Sequence, residues 1–163
     1  MMDTSAILAH YGNEPGRNVV DGLLAGAGGE TALCVVSLIE IDSALRSKGV
    51  GDDERRRMMV IYENAVSRLL PVERRGGSEA MDIKAAARPR LPAMDALIAG
   101  CAKAHGATLV HKDPHFDAIP AGMIRALRLP DSDDAVTPFD AQPAVREGKA
   151  GYVAPRRKPA KKH

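Results

Sequence analysis

The stretch LPAMDALIAGCAKAHGATLVHKDPHF at residues 91–116 decides the predicted fold. Pro92 opens a helical pattern that Gly106 closes, which follows the preference of helices for Pro at the start and Gly after the end. The apolar run 107–111 is typical of a short strand that is buried on both faces. Asp113 precedes a proline and marks the loop at the end of that strand. We therefore expect a helix, a buried strand and a strand-end carboxylate in this order.

Strands and helices are predicted to alternate along most of the chain. The apolar run 32–37 predicts another buried strand, after which Ser37 is placed to cap a helix over 38–47 and Glu40 to close a capping box with it. The other predicted elements are a helix starting near Ala6, helices over 52–70 and 78–88, a brief edge strand at 70–72, a helical turn at 116–119 and a last strand over 123–129. This alternation predicts an α/β fold with a parallel sheet.

Composition excludes several classes of protein. A chain of 163 residues, 45% hydrophobic, suits one domain of ordinary size. Cys34 and Cys101 lie in apolar stretches without CxxC spacing or nearby histidine clusters, which argues against a zinc site or a disulfide framework. No signal segment or membrane-spanning run is evident, so we expect a soluble cytoplasmic protein without membrane contact.

Charge divides the chain unequally. Residues 146–163 carry seven Lys and Arg against Glu147, whereas residues 1–145 carry 16 bases and 20 acids. The last segment also has few apolar residues, so it cannot bury enough surface to offset its ordering entropy. We predict a domain over 1–130 and a flexible basic tail over 131–163, which is either an arm that attracts nucleic acid or a solubilising extension.

Four acidic residues sit where predicted strands end or helices begin: Asp3, Glu40, Asp95 and Asp113. Each has a local explanation as a helix cap, a capping-box residue, a first-turn acid or a turn residue. The carboxyl ends of parallel strands, however, form the crevice where ligands bind in α/β proteins. The two interpretations are compatible, and together they predict a divalent-metal site at one edge of the sheet.

A site of this kind suits phosphodiester hydrolysis. That reaction needs a water made nucleophilic near neutral pH and needs charge neutralised on the phosphate. Mg²⁺ and Mn²⁺ take oxygen ligands and keep several waters, so two or three carboxylates suffice. We expect Asp3 and Asp95 to be direct ligands, and Glu40 and Asp113 to complete the shell or orient the attacking water.

Four segments in this order resemble the PIN-domain family, and within it the VapC-type ribonuclease toxins of bacterial toxin–antitoxin pairs. They are DTSAIL at 3–8, VSLIE at 36–40, LPAMDALIA at 91–99 and TLVHKDPHF at 108–116. The resemblance implies a three-layer α/β/α sandwich with a parallel sheet of four to five strands, Mg²⁺ or Mn²⁺ as cofactor, and single-stranded RNA as substrate. It also implies that Asp3, Glu40, Asp95 and Asp113 form the acidic quartet, with Ser5 as its polar companion. A homodimer and a cognate antitoxin are the partners it implies.

The sequence departs from the family pattern at three places. Only Met1 and Met2 precede Asp3, so the first strand is expected to be short. His111 stands where Thr or Ser is common, and His115 stands where many members have a further Asp. Asp117 is therefore an alternative to Asp113 as the fourth acid.

Basic residues near the predicted site are candidates for phosphate contacts. These are Lys112, Arg46 and Lys48, and the run Arg55, Arg56 and Arg57 is either a further contact or a solvated helix face. His111 and His115 either relay protons and touch phosphate or are ordinary loop histidines.

Two other functions stay open at this point. One is a PIN-domain subunit that binds or processes RNA with little activity of its own. The other is an unrelated doubly wound α/β binding module whose acids are only caps and turns.

Overall fold

A computed structural model of the protein describes residues 1–132. Its sheet contains four strands: β1 (Ala32–Cys34), β2 (Arg68–Leu70), β3 (Thr108–His111) and β4 (Arg125–Arg128). Strand β1 pairs in parallel with β2, and β3 pairs in parallel with β4. Met2 joins the two pairs, because it forms parallel bridges with Leu33 and with Val110. The order across the sheet is β2, β1, Met2, β3, β4.

The centre of the sheet is a very short segment at the start of the chain. Met2 donates its N–H to the carbonyl of Ala32 at 2.8 Å, while Asp3 donates to the carbonyl of Val110 at 2.8 Å. Val110 in turn donates to the carbonyl of Met1 at 2.9 Å. A single bridging residue, Met2, thus takes the place of the predicted short first strand, and the parallel sheet has four strands.

Helices cover both faces of the sheet. They are α1 (Thr4–Tyr11), α2 (Arg17–Leu24), α3 (Val35–Ser47), α4 (Asp52–Ala65), α5 (Arg74–Ala86) and α6 (Ala93–Ala104), with a 3₁₀ helix at Pro114–Ala118. Because side chains alternate along a strand, Leu33 and Val110 enter a core with α1 to α4. Ala32 and Leu109 enter a second core with α5 and α6. The three-layer α/β/α sandwich is confirmed.

The chain turns into a helix earlier than predicted after β1. Helix α3 begins at Val35, so Ser37 is its third residue and lies fully buried. The predicted N-cap at Ser37 and its capping box with Glu40 are therefore wrong. The β-branched run suggested a longer strand, but Ile41 and Leu45 bury one face of α3 in the core, and this packing overrides local propensity.

Other element boundaries also differ from those predicted, and one helix was not predicted at all. The helix predicted to end at residue 70 stops at Ala65, because residues 68–70 pair with β1 as an edge strand. Helix α5 begins at Arg74 rather than at residue 78. Helix α2 was not predicted; Gly16 leads into it with a left-handed φ of 91°, which glycine adopts without strain.

The two helices on one face of the sheet, α5 and α6, approach very closely. Gly100 of α6 lies against the backbone of α5, and a Cβ atom built there would lie 2.4 Å from the carbonyl oxygen of Gly76 and 2.6 Å from the nitrogen of Ala80. Only glycine permits this approach. It matters for the site because Asp95 lies in the first turn of α6.

Parts of the predicted organisation lie beyond these elements. Residues 133–163, which include the basic segment 146–163, lie outside the described residues. The division at residue 130 and the basic tail therefore stay predictions. Within residues 1–132, no helix is both long enough and apolar enough to cross a bilayer.

Candidate metal centre

The carboxylate of Asp3 is held at the point where the central segment of the sheet becomes α1. Asp3 is the N-cap of that helix, and its Oδ2 accepts hydrogen bonds from the Ser5 backbone N–H at 2.8 Å and from the Ser5 hydroxyl at 2.6 Å. Burial raises the pKa of Asp3, and the charge of Asp113 raises it further, although the bonds from Ser5 oppose this. Capping and proximity to a second acid thus occur together.

The Ser5 hydroxyl connects two of the acidic segments. While it donates to Asp3, it accepts the backbone N–H groups of Lys112 at 2.9 Å and of Asp113 at 3.1 Å. One oxygen thereby fixes the loop after β3 against the start of α1. Ser5 was expected to be the polar companion of the acids, and its hydroxyl contacts them through these hydrogen bonds.

Replacing Ser5 by Ala should therefore destabilise the protein. The change removes a donor to a buried carboxylate and leaves two backbone N–H groups without their acceptor, which should cost about 2 kcal/mol of the free energy of unfolding. Urea denaturation monitored by circular dichroism measures this loss. The control is Ser47→Ala, since the Ser47 hydroxyl is exposed and donates only to the Ala44 carbonyl; its effect should stay within about 0.5 kcal/mol. Equal losses in the two variants would contradict the role given to Ser5.

Glu40 lies on α3 and faces the same region. Its Oε2 accepts a hydrogen bond from the Thr4 hydroxyl at 2.7 Å, so the first residue of α1 orients it. Burial raises the pKa of Glu40, and the charges of the other three acids raise it further. The role of Thr4 was not predicted, although its place between Asp3 and Ser5 in the DTS motif is the signal that points to it.

Asp95 is a buried acid on α6 whose pKa is raised. It is 9% exposed, and its Oδ2 is inaccessible and accepts no hydrogen bond from residues 1–132. Burial raises the pKa of Asp95 to about 6, and the charges of Asp113 and Asp3 contribute, while the His115 imidazole acts in the opposite direction. A buried carboxylate oxygen without a partner is costly, so this atom needs a proton or a cation.

Asp113 and His115 complete the cluster at the end of β3. Asp113 caps the 3₁₀ helix through its Oδ1, which accepts the His115 N–H at 2.8 Å. The His115 Nδ1 atom lies 3.2 Å from that Oδ1 and 3.3 Å from Asp95 Oδ2. Donor atoms of the three side chains all lie within 4.8 Å of one another, as ligands of one metal ion would.

The residues present fit a divalent cation. The charges of neighbouring acids raise the pKa values of Asp3, Glu40 and Asp95, and Asp95 carries an unpartnered buried oxygen. A cation bound between them would offset both the repulsion and the burial cost. The residues that are able to hold it are Asp3, Glu40, Asp95, Asp113 and His115.

The predicted phosphate-binding residues Lys112 and Arg46 have other partners within the protein. The Lys112 ammonium contacts Glu14 Oε2 at 3.1 Å and the Pro15 carbonyl at 3.0 Å, on the side of the α1–α2 loop. Arg46 is exposed and pairs with Asp42 at 3.3 Å. Lys112 also lines an open groove with Ser5, Asp113, Lys48 and Arg128, among others. The acids Glu14 and Asp131 also line this groove, and they pair with Lys112 and Arg128.

Three other residues that the sequence singled out contact polar groups elsewhere in the protein. Arg55 is 5% exposed and donates to Asp42, Asp52 and the Val50 carbonyl, so it joins α4 to α3 rather than forming part of a solvated face. His111 is buried, and its Nδ1 contacts the Asp113 carbonyl at 2.9 Å. Asp117 pairs with Arg128 at 2.5 Å, outside the cluster. Of the two candidates for the fourth acid, Asp113 is the one beside the others.

Comparison with known proteins agrees with this architecture. The fold and site define a class: an α/β/α sandwich with carboxylates collected at the carboxyl edge of its parallel sheet. A family profile described as PIN domain matches residues 1–122, which is most of the chain. The chain belongs to the PIN domain family.

Several solved structures share the fold. A chain of the VapBC2 complex from Rickettsia felis, solved with a DNA fragment from its promoter, has a TM-score of 0.66 and 17% identity over 80% of this chain and 98% of that chain. DNA-bound VapBC from Salmonella typhimurium has a TM-score of 0.57 and 19% identity over 77% and 94%. FitAB bound to the IR36 DNA fragment has a TM-score of 0.56 and 19% identity over 78% and 92%. No curated protein matches the sequence.

Proposed function

We propose that this protein is a divalent-metal-dependent endoribonuclease that hydrolyses phosphodiester bonds of single-stranded RNA. The observation that carries the proposal is the convergence of Asp3, Glu40, Asp95 and Asp113 at one edge of the sheet, with a buried Asp95 oxygen that lacks a partner. Membership of the PIN domain family supports the same chemistry. The cofactor in this proposal is Mg²⁺ or Mn²⁺.

The acidic side chains have two different roles in this proposal. Asp3 and Asp95 are direct ligands, because they are the most deeply buried of the acids, and Glu40 and Asp113 complete the shell or orient water. When bound, the cation supplies charge neutralisation for the phosphate and an activated water. Thr4 and Ser5 hold Glu40 and Asp3 in place through their hydroxyl groups.

The substrate approaches along the groove beside the cluster, which is lined by three basic residues and three acids. Lys48, Lys112 and Arg128 line it together with Ser5 and Asp113, so a polyanion in the groove would pass beside the acidic cluster. Arg46 lies exposed at the end of α3 and offers a further phosphate contact. Contacts of this kind position a nucleic-acid backbone without reading its sequence.

The proposed biological role is that of the toxin in a type II toxin–antitoxin pair. The solved structures with the same fold are VapBC and FitAB complexes, which supports a cognate antitoxin as partner. A homodimer is part of the same proposal. A small DNA-binding protein encoded immediately beside this chain would be the expected antitoxin.

Cleavage of labelled RNA tests the enzymatic proposal. The full chain should cut single-stranded RNA in the presence of Mn²⁺ or Mg²⁺ and should not do so with EDTA. Asp3→Asn should lower the rate of RNA cleavage at least about 100-fold. Loss of a group that only orients a metal ligand already lowers metal affinity or activity about 10- to 100-fold, and Asp3 is proposed as a direct ligand. Asp117→Asn is the control, since that acid pairs with Arg128 outside the cluster, and it should retain activity.

The opposite results have distinct meanings. Intact RNA after incubation with either metal, together with tight RNA binding, would favour a PIN subunit that binds RNA with little activity. Absence of Mg²⁺ and Mn²⁺ binding at millimolar concentration would overturn the nuclease proposal itself.

A further inference from the structure

His115 is a nitrogen donor within an otherwise acidic cluster. Its Nδ1 lies 3.3 Å from Asp95 Oδ2 and 3.2 Å from Asp113 Oδ1. Asp95 Oδ2 is inaccessible, and among residues 1–132 no donor, the nearby imidazole included, meets it with full hydrogen-bond geometry. The donor atoms of Asp95, Asp113 and His115 thus lie within 4.8 Å of one another, as the ligands of one cation would.

The backbone fixes His115 in this position independently of its side chain. The His115 N–H donates to Asp113 Oδ1 in the first turn of the 3₁₀ helix, which aims the imidazole back toward α6. The side chain is 57% exposed, so packing does not require it there. The other described histidines near the sheet differ: His10 contacts Tyr62 and Asp21, and His111 contacts a backbone carbonyl.

We propose that His115 Nδ1 is a direct ligand of the cation held by Asp95 and Asp113, and that this nitrogen makes the site prefer Mn²⁺ to Mg²⁺. The proposal rests on the proposed function and adds a ligand to it. Mg²⁺ is a hard cation that takes oxygen ligands almost exclusively, whereas imidazole suits transition metals. A mixed set of carboxylates and one imidazole thus discriminates between two ions that an all-carboxylate set would bind more equally.

Pulsed electron paramagnetic resonance on the Mn²⁺-loaded full chain tests this ligand directly. The electron spin-echo envelope of wild type should show modulation from a coordinated ¹⁴N nucleus. His115→Ala should lose that modulation, because the backbone N–H that caps Asp113 is kept while the imidazole is removed. His105→Ala is the matched control, since His105 is exposed at the end of α6. The ¹⁴N modulation of this variant should equal that of wild type. Circular dichroism checks that both variants fold.

Metal affinity gives a second measurement. Calorimetric titration should show at least about a 10-fold weaker affinity of His115→Ala for Mn²⁺, with a smaller change for Mg²⁺. Binding of Mn²⁺ by wild type without ¹⁴N modulation would overturn the His115 proposal and leave the metal-dependent nuclease intact. No Mn²⁺ binding by wild type would overturn both. Modulation that persists in His115→Ala would assign the nitrogen to another residue and also overturn the proposal.

Discussion

Asp95→Asn should abolish metal-dependent cleavage and, in the absence of metal, stabilise the protein. Asn keeps the shape of the side chain but removes the charge that burial and the neighbouring acids disfavour. The rate of RNA cleavage should fall at least about 100-fold, since a proposed direct ligand is lost. The same change should raise the free energy of unfolding at neutral pH, as expected where a strained functional site is relaxed.

The stabilising effect should depend on pH in a definite direction. The pKa of Asp95 is raised in the folded state from 3.8 to about 6. The carboxyl group is therefore neutral in both states below about pH 4, and wild type loses stability as the pH rises through about 6. The shift of about two units corresponds to at most about 3 kcal/mol at pH 7.5. The Asp95→Asn variant has no carboxyl group at this position, so its free energy of unfolding should not fall in this way.

Denaturation in EDTA at pH 4 and at pH 7.5 measures the effect. The difference between Asp95→Asn and wild type should be small at pH 4 and large at pH 7.5. Asp53→Asn is the control, because Asp53 is an exposed acid in the first turn of α4; its loss should cost about 0.3–1 kcal/mol through the helix dipole. A variant at Asp95 that is less stable than wild type at pH 7.5 would show that the buried charge is compensated within the protein.

Gly100→Ala should destabilise the fold severely. The added methyl group would lie within 2.8 Å of three atoms of α5, two of them in the backbone. The helices would have to separate, which should cost at least about 3 kcal/mol, the upper end of what overpacking usually costs. Movement of α6 would also shift Asp95, so metal binding should weaken in any folded fraction.

The control is Gly77, which follows Gly76 in α5. A Cβ atom at Gly77 would meet nothing within 4 Å, although Gly77 is also inside a helix. Gly77→Ala should therefore raise the free energy of unfolding by about 0.5–1 kcal/mol, the helix-propensity difference between the two residues. Thermal denaturation of both variants decides the matter. Similar melting temperatures would show that α5 and α6 adjust to the added methyl group without cost.

The sequence predicted the fold class well because its signals were local. Pro92 and Gly106 bound one helix, and the run 107–111 could be read directly as a strand. The errors arose where tertiary packing, and not the local sequence, determines the structure. Ser37 looked like a cap but is inside α3, and the helix predicted from residue 78 begins at Arg74, where Gly76 of α5 packs against Cys101 of α6.

The same distinction holds at the candidate site. The strand-end positions of Asp3 and Asp113 followed from periodicity, since the carboxylates come directly after apolar runs. The side-chain partners did not follow. Lys112 contacts Glu14, and His115 contacts Asp95, across 98 and 20 positions of the chain respectively. Only the packing of α1 and α6 on the sheet brings those pairs together.

The position of the first three residues in the middle of the sheet has a consequence for synthesis. On the ribosome these residues are made before the rest of the sheet, and the strand that pairs with Asp3 through Val110 is made more than 100 residues later. A nascent chain that has not reached Val110 contains Asp3, Glu40 and Asp95 and still lacks the pairing that seats the first of them. Such long-range pairing forms slowly and late. The acidic cluster therefore assembles only after β3 has been made.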